Sequence, residues 1–186
     1  MKWYFIFSLL LIVLCTSCLE REYDLDTLRT PQEYSIEEAR DVEILYSDSA
    51  RLRVKIQGPM LRRYIYRFRV EEEFPEGVRV TFYDGLSKPS AWLSAKYAIR
   101  KPQDNSTIVR DSVVLFNSLG EKMEGLELIW DENEEMIHTD KFVRITRAEE
   151  IIYSRGFRSN QDFTEYTLYA VEGNMLVQEL GLGGDE

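Results

Sequence analysis

Cysteine is scarce in this sequence and confined to one place. Cys15 and Cys18 are the only two, so nothing beyond position 18 can form a disulfide and the rest must hold together through its core. Histidine is scarcer still: His138 stands alone in an acidic stretch and reads as an exposed loop residue. Zinc needs several His or Cys ligands, and a Ser or Cys nucleophile needs a base beside it. Neither set can be assembled. There is no Gly-x-Ser-x-Gly elbow and no glycine-rich phosphate loop ahead of a helix. The acidic pairs Asp131-Glu132 and Glu134-Glu135 lack the oxygen spacing and turn glycine of a calcium loop. These absences point to a binding or scaffolding protein that is not an enzyme and uses no metal or cofactor. Facing carboxylates of a glycan-handling enzyme are set by space and not by spacing, which leaves that class as a distant option.

Positive charge is also in short supply. Asp and Glu number 33 against 23 Lys and Arg, a formal net charge of −10, which argues against a nucleic-acid partner. The cations that exist are bunched: Arg51, Arg53, Lys55, Arg62, Arg63, Arg67 and Arg69 occur with no acid between 51 and 69. Such a strip inside an acidic protein attracts anions. The plainer reading, a solvated face of two strands, carries equal weight.

Long apolar runs are missing except at the start. Trp3 to Leu14 is apolar apart from Ser8, about a dozen residues where a spanning helix needs roughly 20. Met1-Lys2 precedes it and Thr16-Ser17-Cys18 follows. This describes a secretory signal peptide over 1–17 whose cleavage leaves Cys18 to be acylated, as in bacterial lipoproteins. The alternative is an uncleaved signal anchor. Residues 18–41 then form a lipid-anchored tether, with a short helical turn at the capping-box pattern Ser35-Ile36-Glu37-Glu38.

From Val42 onward the dominant period is two. Leu52, Val54 and Ile56 alternate with basic residues up to Gly58-Pro59. Tyr64, Tyr66 and Phe68 continue the pattern, Pro75-Glu76-Gly77 turns, and Val80 and Phe82 lead to Asp84-Gly85. Leu93, Ala95, Tyr97 and Ile99 read as one strand, Val113 to Phe116 as a central one. Leu128 and Trp130, Val143 and Ile145, and residues 151–153 and 165–171 complete the series. Strands at this spacing without an amphipathic helix predict a single all-β domain of antiparallel strands over 42–180, with a disordered tail at 181–186.

Tyr46-Ser47-Asp48-Ser49-Ala50, Phe74-Pro75-Glu76-Gly77-Val78, Phe82-Tyr83-Asp84 and Leu93-Ser94-Ala95-Lys96-Tyr97-Ala98 form an ordered series. Asn117-Ser118-Leu119-Gly120-Glu121, Leu128-Ile129-Trp130-Asp131 and Gly156-Phe157 ahead of Asp162-Phe163 extend it. Over roughly 42 to 170, a single-domain length, the series resembles the LptC family, the periplasmic component of the lipopolysaccharide export ABC transporter. The resemblance implies a twisted, open β-jellyroll of the OstA/LptA-like kind, with a hydrophobic groove that accepts lipopolysaccharide from the transporter's membrane subunits. It implies onward transfer to an LptA-like or LptD-like jellyroll by edge-strand pairing. Well-known members keep a transmembrane helix, whereas here a lipid anchor would hold the domain in the cell envelope. The expected place is the periplasmic side of the inner membrane, with the outer membrane as alternative.

On this reading the groove lining comprises Leu52, Val54, Ile56, Tyr64, Tyr66, Phe68, Val80, Phe82, Leu93, Ala95, Leu128, Trp130, Val143 and Ile145. The strip Arg51 to Arg69 would meet lipid A phosphates or an acidic partner. The competing expectation is a lipoprotein scaffold or chaperone for outer-membrane assembly. That protein would have a closed, side-chain-filled core and would bind protein instead of lipid.

Overall fold

The computed structural model describes residues 34–176. The expected signal peptide, Cys18, the expected tether as far as position 33, and everything from 177 on lie outside the described residues. The described chain forms β1 (Tyr34–Asp48), β2 (Arg51–Tyr66), β3 (Val70–Phe74), β4 (Val78–Tyr83), β5 (Pro89–Ala95) and β6 (Tyr97–Lys101). A 3-10 turn (Pro102–Asp104) leads to β7 (Ser106–Asn117), β8 (Lys122–Asp131), β9 (Met136–Thr146), β10 (Glu150–Asn160) and β11 (Tyr166–Leu176). All pairings are antiparallel within one 11-stranded sheet, and no α-helix occurs among the described residues. The fold is all-β, as the period of two predicts.

Strands β3 and β4 lie end to end along β2, and β5 and β6 lie end to end along β7. The chain is therefore a meander in which each long row pairs with the next, leaving β1 and β11 as the edges among the described residues. Every row is interrupted near its middle. The breaks fall at Asp41, Pro59, Glu76, Lys96, Asp111-Ser112, Leu126, Asp140-Lys141, Gly156 and Tyr169, and all of these but Gly156 are exposed. Together they form a crease across the sheet. Asp111 and Ser112 sit at φ 63° and 55°, a left-handed pair that short polar side chains tolerate. Gly156 at φ 90° needs no such tolerance.

The two half-sheets on either side of the crease face each other. Phe82 in one half meets Trp130 in the other edge to face, with centroids 5.2 Å apart. The free ends of the halves touch through polar groups. Arg53 Nη2 is 3.3 Å from Glu135, Ser90 Oγ donates to Asp162 at 2.5 Å, and Asn117 Nδ2 donates to the Phe163 carbonyl at 2.6 Å. One hydrophobic cluster fills the space between, so apolar burial holds the halves together at about 1.5–3 kcal/mol per large side chain.

Three local expectations are corrected. Ser35 to Glu38 belongs to β1 and forms no helical turn, because Ile36 pairs with Tyr64 and Glu38 accepts from Arg62 at 2.8 Å. The β-domain thus begins at least as early as Tyr34, before the expected position 42. Pro75-Glu76-Gly77 does not reverse the chain; it is the crease position between the collinear β3 and β4. The run from Ala91 to Ile99 is two strands parted at Lys96, and the break switches the buried series from Leu93 and Ala95 to Ala98 and Arg100.

Candidate functional site

The inward face of the creased sheet is the candidate site. Val54, Ile56, Val80, Phe82, Leu93, Ala95, Leu128, Trp130, Val143 and Ile145, all expected there, belong to the buried cluster. Leu52 is half-buried on the same face as Val54. Phe74, Val109, Leu115, Met123, Ile137 and Phe157 join them at 0–1% exposure. Alternating inward side chains from both halves interdigitate, which explains burial this complete.

Tyr64, Tyr66 and Phe68 do not belong to this face. Gly58-Pro59 shifts the pleat, so beyond the crease Leu61 and Arg63 point in and the even-numbered residues point out. At Gly58 a Cβ would stand 2.8 Å from the Phe74 ring, and only glycine permits this approach. Tyr64 and Tyr66 instead pack around Tyr34, at 5.9 and 5.3 Å between centroids. Phe68 is 86% exposed at the tip of the β2–β3 hairpin, which is closed by Tyr66 N–H donating to the Arg69 carbonyl.

Part of the inward face is charged. One cross-strand row runs Glu37, Arg63, Glu72, Arg100, Thr107, Trp130, alternating in sign over its first four members. Arg63 Nη2 donates to Glu72 Oε1 at 2.9 Å, and Arg100 Nη1 to Glu72 Oε2 at 3.0 Å. Arg100 Nε and Nη2 grip both oxygens of Glu132 at 2.8 Å each, and Thr107 donates to the same carboxylate at 2.9 Å. The Tyr46 ring, from the facing half-sheet, lies 4.9 Å from the Arg100 guanidinium carbon. Burial disfavours the Arg100 charge, but the hydrogen bonds and attraction of Glu132 outweigh it and hold its pKa above the ordinary arginine value. Burial likewise raises the Tyr46 hydroxyl. Beside this network the Trp130 indole N–H is buried without an acceptor.

None of Glu72, Arg100 or Glu132 was expected at the site. Simple alternation put Arg100 outside, and Glu132 was hidden within the acidic run whose spacing excludes a calcium loop. The usable signal was the small pair Ala95 and Ala98, three apart, which marks a pleat shift at Lys96.

The basic strip is largely matched by acids from other strands. Arg53 meets Glu135, Arg62 meets Glu38, Arg63 meets Glu37 and Glu72, and Arg69 meets Glu71. Arg51 donates to the Gly85 carbonyl, while Lys55 and Arg67 make no ion pair with described residues. The strip is thus mostly woven into the sheet. His138 is not in a loop: it lies half-buried on β9 opposite Ile129 and Arg158.

Two hollows lie along the crease. One, about 520 Å³, is lined by Asp41, Glu43, Gln57, Gly77, Arg79 and Ser94 among others. The other, about 400 Å³, is lined by His138, Asp140, Arg155, Gly156, Arg158 and Tyr169 among others. Among the described residues no group of three or more His, Cys, Asp or Glu is placed to hold a metal. No described helix is long and apolar enough to cross a membrane. Set against known proteins, the chain matches no family model and no curated sequence.

Proposed function

We propose that this protein carries lipopolysaccharide through the cell envelope as an LptC-like export component, using the inward face of its creased sheet and no covalent chemistry. The observation that supports this most is the continuity of the apolar inward face across the meander, combined with half-sheets whose free ends meet through polar groups. Acyl chains gain roughly 0.8 kcal/mol per buried CH₂ and need no directed partners, so they can replace packed side chains once the ends part. The edges β1 and β11, unpaired on one side among the described residues, would meet the transporter's membrane subunits and an LptA-like or LptD-like jellyroll, the latter by edge-strand pairing. Cys18 would carry the lipid that holds the domain at the membrane. A Cys18→Ala chain should then accumulate as unlipidated precursor in a palmitate-labelling experiment, and normal labelling would exclude Cys18.

The packing itself favours a second reading. In this closed form the inward side chains fill the space between the halves, as expected of a scaffold or chaperone for outer-membrane assembly. Stacked Trp92 and Phe116, 4.9 Å apart on the outward face, would then be part of a protein-binding patch. Detergent extraction of the full chain from a lipopolysaccharide-producing cell separates the two. Carriage predicts co-purified lipopolysaccharide together with transporter subunits. Recovery of assembly proteins without either would leave the scaffold reading standing.

A further inference from the structure

The hairpin tip Arg67-Phe68-Arg69 has no role in the interior and is built for a surface. Phe68 is among the most exposed apolar residues described, at 86%. Its neighbours on both sides are exposed arginines. The Arg67 guanidinium lies 5.3 Å from the Phe68 ring and makes no ion pair with described residues. Arg69 lies 4.4 Å from the Tyr66 ring, touches Glu71 at 3.5 Å, and keeps 62% of its side chain exposed. Behind the tip stands Tyr34, in ring contact with both Tyr64 and Tyr66. On the flank, Gln103 accepts from the Val70 N–H, which ties the hairpin base to the 3-10 turn that ends in Asp104.

A bare phenylalanine between two arginines, with tyrosines behind it, is the composition that settles at a bilayer interface. The ring enters the acyl boundary, the guanidiniums meet phosphates, and the tyrosines span the headgroup level. Two further facts select the occupant. The chain is strongly acidic overall, so a cationic tip also sets which way the domain faces an anionic surface. Tyr34, directly paired with Tyr66, is where the preceding segment attaches, and on the proposed function, on which this point rests, that segment carries the acylated Cys18.

We infer that the β2–β3 tip is a membrane-contacting wedge for an anionic phospholipid surface, with Phe68 inserted and Arg67 and Arg69 on phosphates. This contact is independent of what the interior carries. It orients the creased sheet with the Tyr34 end of β1 toward the bilayer.

The test uses the full chain reconstituted into vesicles of phosphatidylcholine, with or without phosphatidylglycerol, carrying bromine on the acyl chains. Phe68→Trp reports depth by quenching, measured as the difference from the parent chain. Leu86→Trp, on the β4–β5 turn beside the opposite end of β2 and 76% exposed in its native form, is the reference. The wedge predicts quenching at 68 well above that at 86, in anionic vesicles only. Adding Arg67→Glu and Arg69→Glu should abolish most of it, since each arginine shifts such a contact about fivefold. Quenching at 68 no greater than at 86, or indifferent to phosphatidylglycerol and to the charge reversals, would overturn the inference. So would a photo-crosslinker at 68 that captures a membrane protein in cells and no lipid.

Discussion

The inward face is one continuous surface with two characters. Around Leu93, Leu115, Val143 and Phe157 it is hydrocarbon, held by contacts that have no direction. Around Glu72, Arg100 and Glu132 it is a charged lattice in which Arg100 Nε, Nη1 and Nη2 each have a fixed acceptor. The hydrocarbon part can exchange its own side chains for acyl chains with little change in free energy per unit area. The charged part is different: its ions are paired within one half-sheet, and removing any one of them would leave a buried charge unmatched. The difference divides the interior into a region of exchangeable apolar packing and a region fixed by directed charge pairs. Tyr46 on Arg100 ties the two half-sheets together at the second of these.

The sharpest way to break this contrast is Arg100→Met. It leaves two carboxylates facing each other in the interior and should lower stability by about 3–5 kcal/mol in urea denaturation. Replacing Glu72, Arg100 and Glu132 together by apolar residues should recover most of that loss, because no charge is then stranded. A triple variant as weak as the single one would show that the lattice is not governed by charge pairing.

Leu93→Ala probes the other region and should cost about 3 kcal/mol through the cavity it leaves. Here the deficit should shrink when lipopolysaccharide is added, since a ligand that fills the cavity stabilises the folded form by mass action. Arg100→Met should gain no such rescue. Equal rescue of both variants would erase the distinction between the regions.

Smaller effects belong to the crease and the turns. Gly156→Ala puts a Cβ 3.2 Å from Tyr169 at φ 90°, which should cost about 1–2 kcal/mol and leave lipid binding intact. The smallest effect is one of pH. Asp84 accepts from the Lys88 and Leu86 N–H groups, and these bonds, the Lys88 one foremost, hold its carboxyl below the ordinary value of 3.8. Its contribution is therefore complete above pH 3.8 and lost as the pH falls through the lowered value. Asp84→Asn should flatten the acid limb of the stability curve slightly. Arg100, whose pKa is raised, contributes throughout the working range and adds no slope there.

The all-β class, the antiparallel pairing and most of the core could be read from the period of two; the meander order could not. Val54, Ile56, Val80, Phe82, Leu93 and Val143 were legible because each lies in an unbroken stretch of alternation. The crease as a whole was not legible, because a one-residue pleat shift leaves only scattered marks such as Gly58-Pro59, the Ala95 and Ala98 pair, and Gly156. Past the crease, alternation assigns the wrong face, and Tyr64 and Tyr66 were misplaced for that reason alone. Phe68 failed differently: three residues at 67–69 form a turn that breaks the run into two strands. Arg100 and Glu132 were hidden because a buried ion pair looks in sequence like any two surface charges.

The most direct test places a photo-crosslinking residue, in living cells, at Leu93 or Phe82 inside the fold and at Lys96 or Arg62 outside it. Carriage by the inward face predicts lipopolysaccharide adducts at the first two positions and none at the second two. Adducts distributed equally among all four, or absent from Leu93 and Phe82, would contradict it.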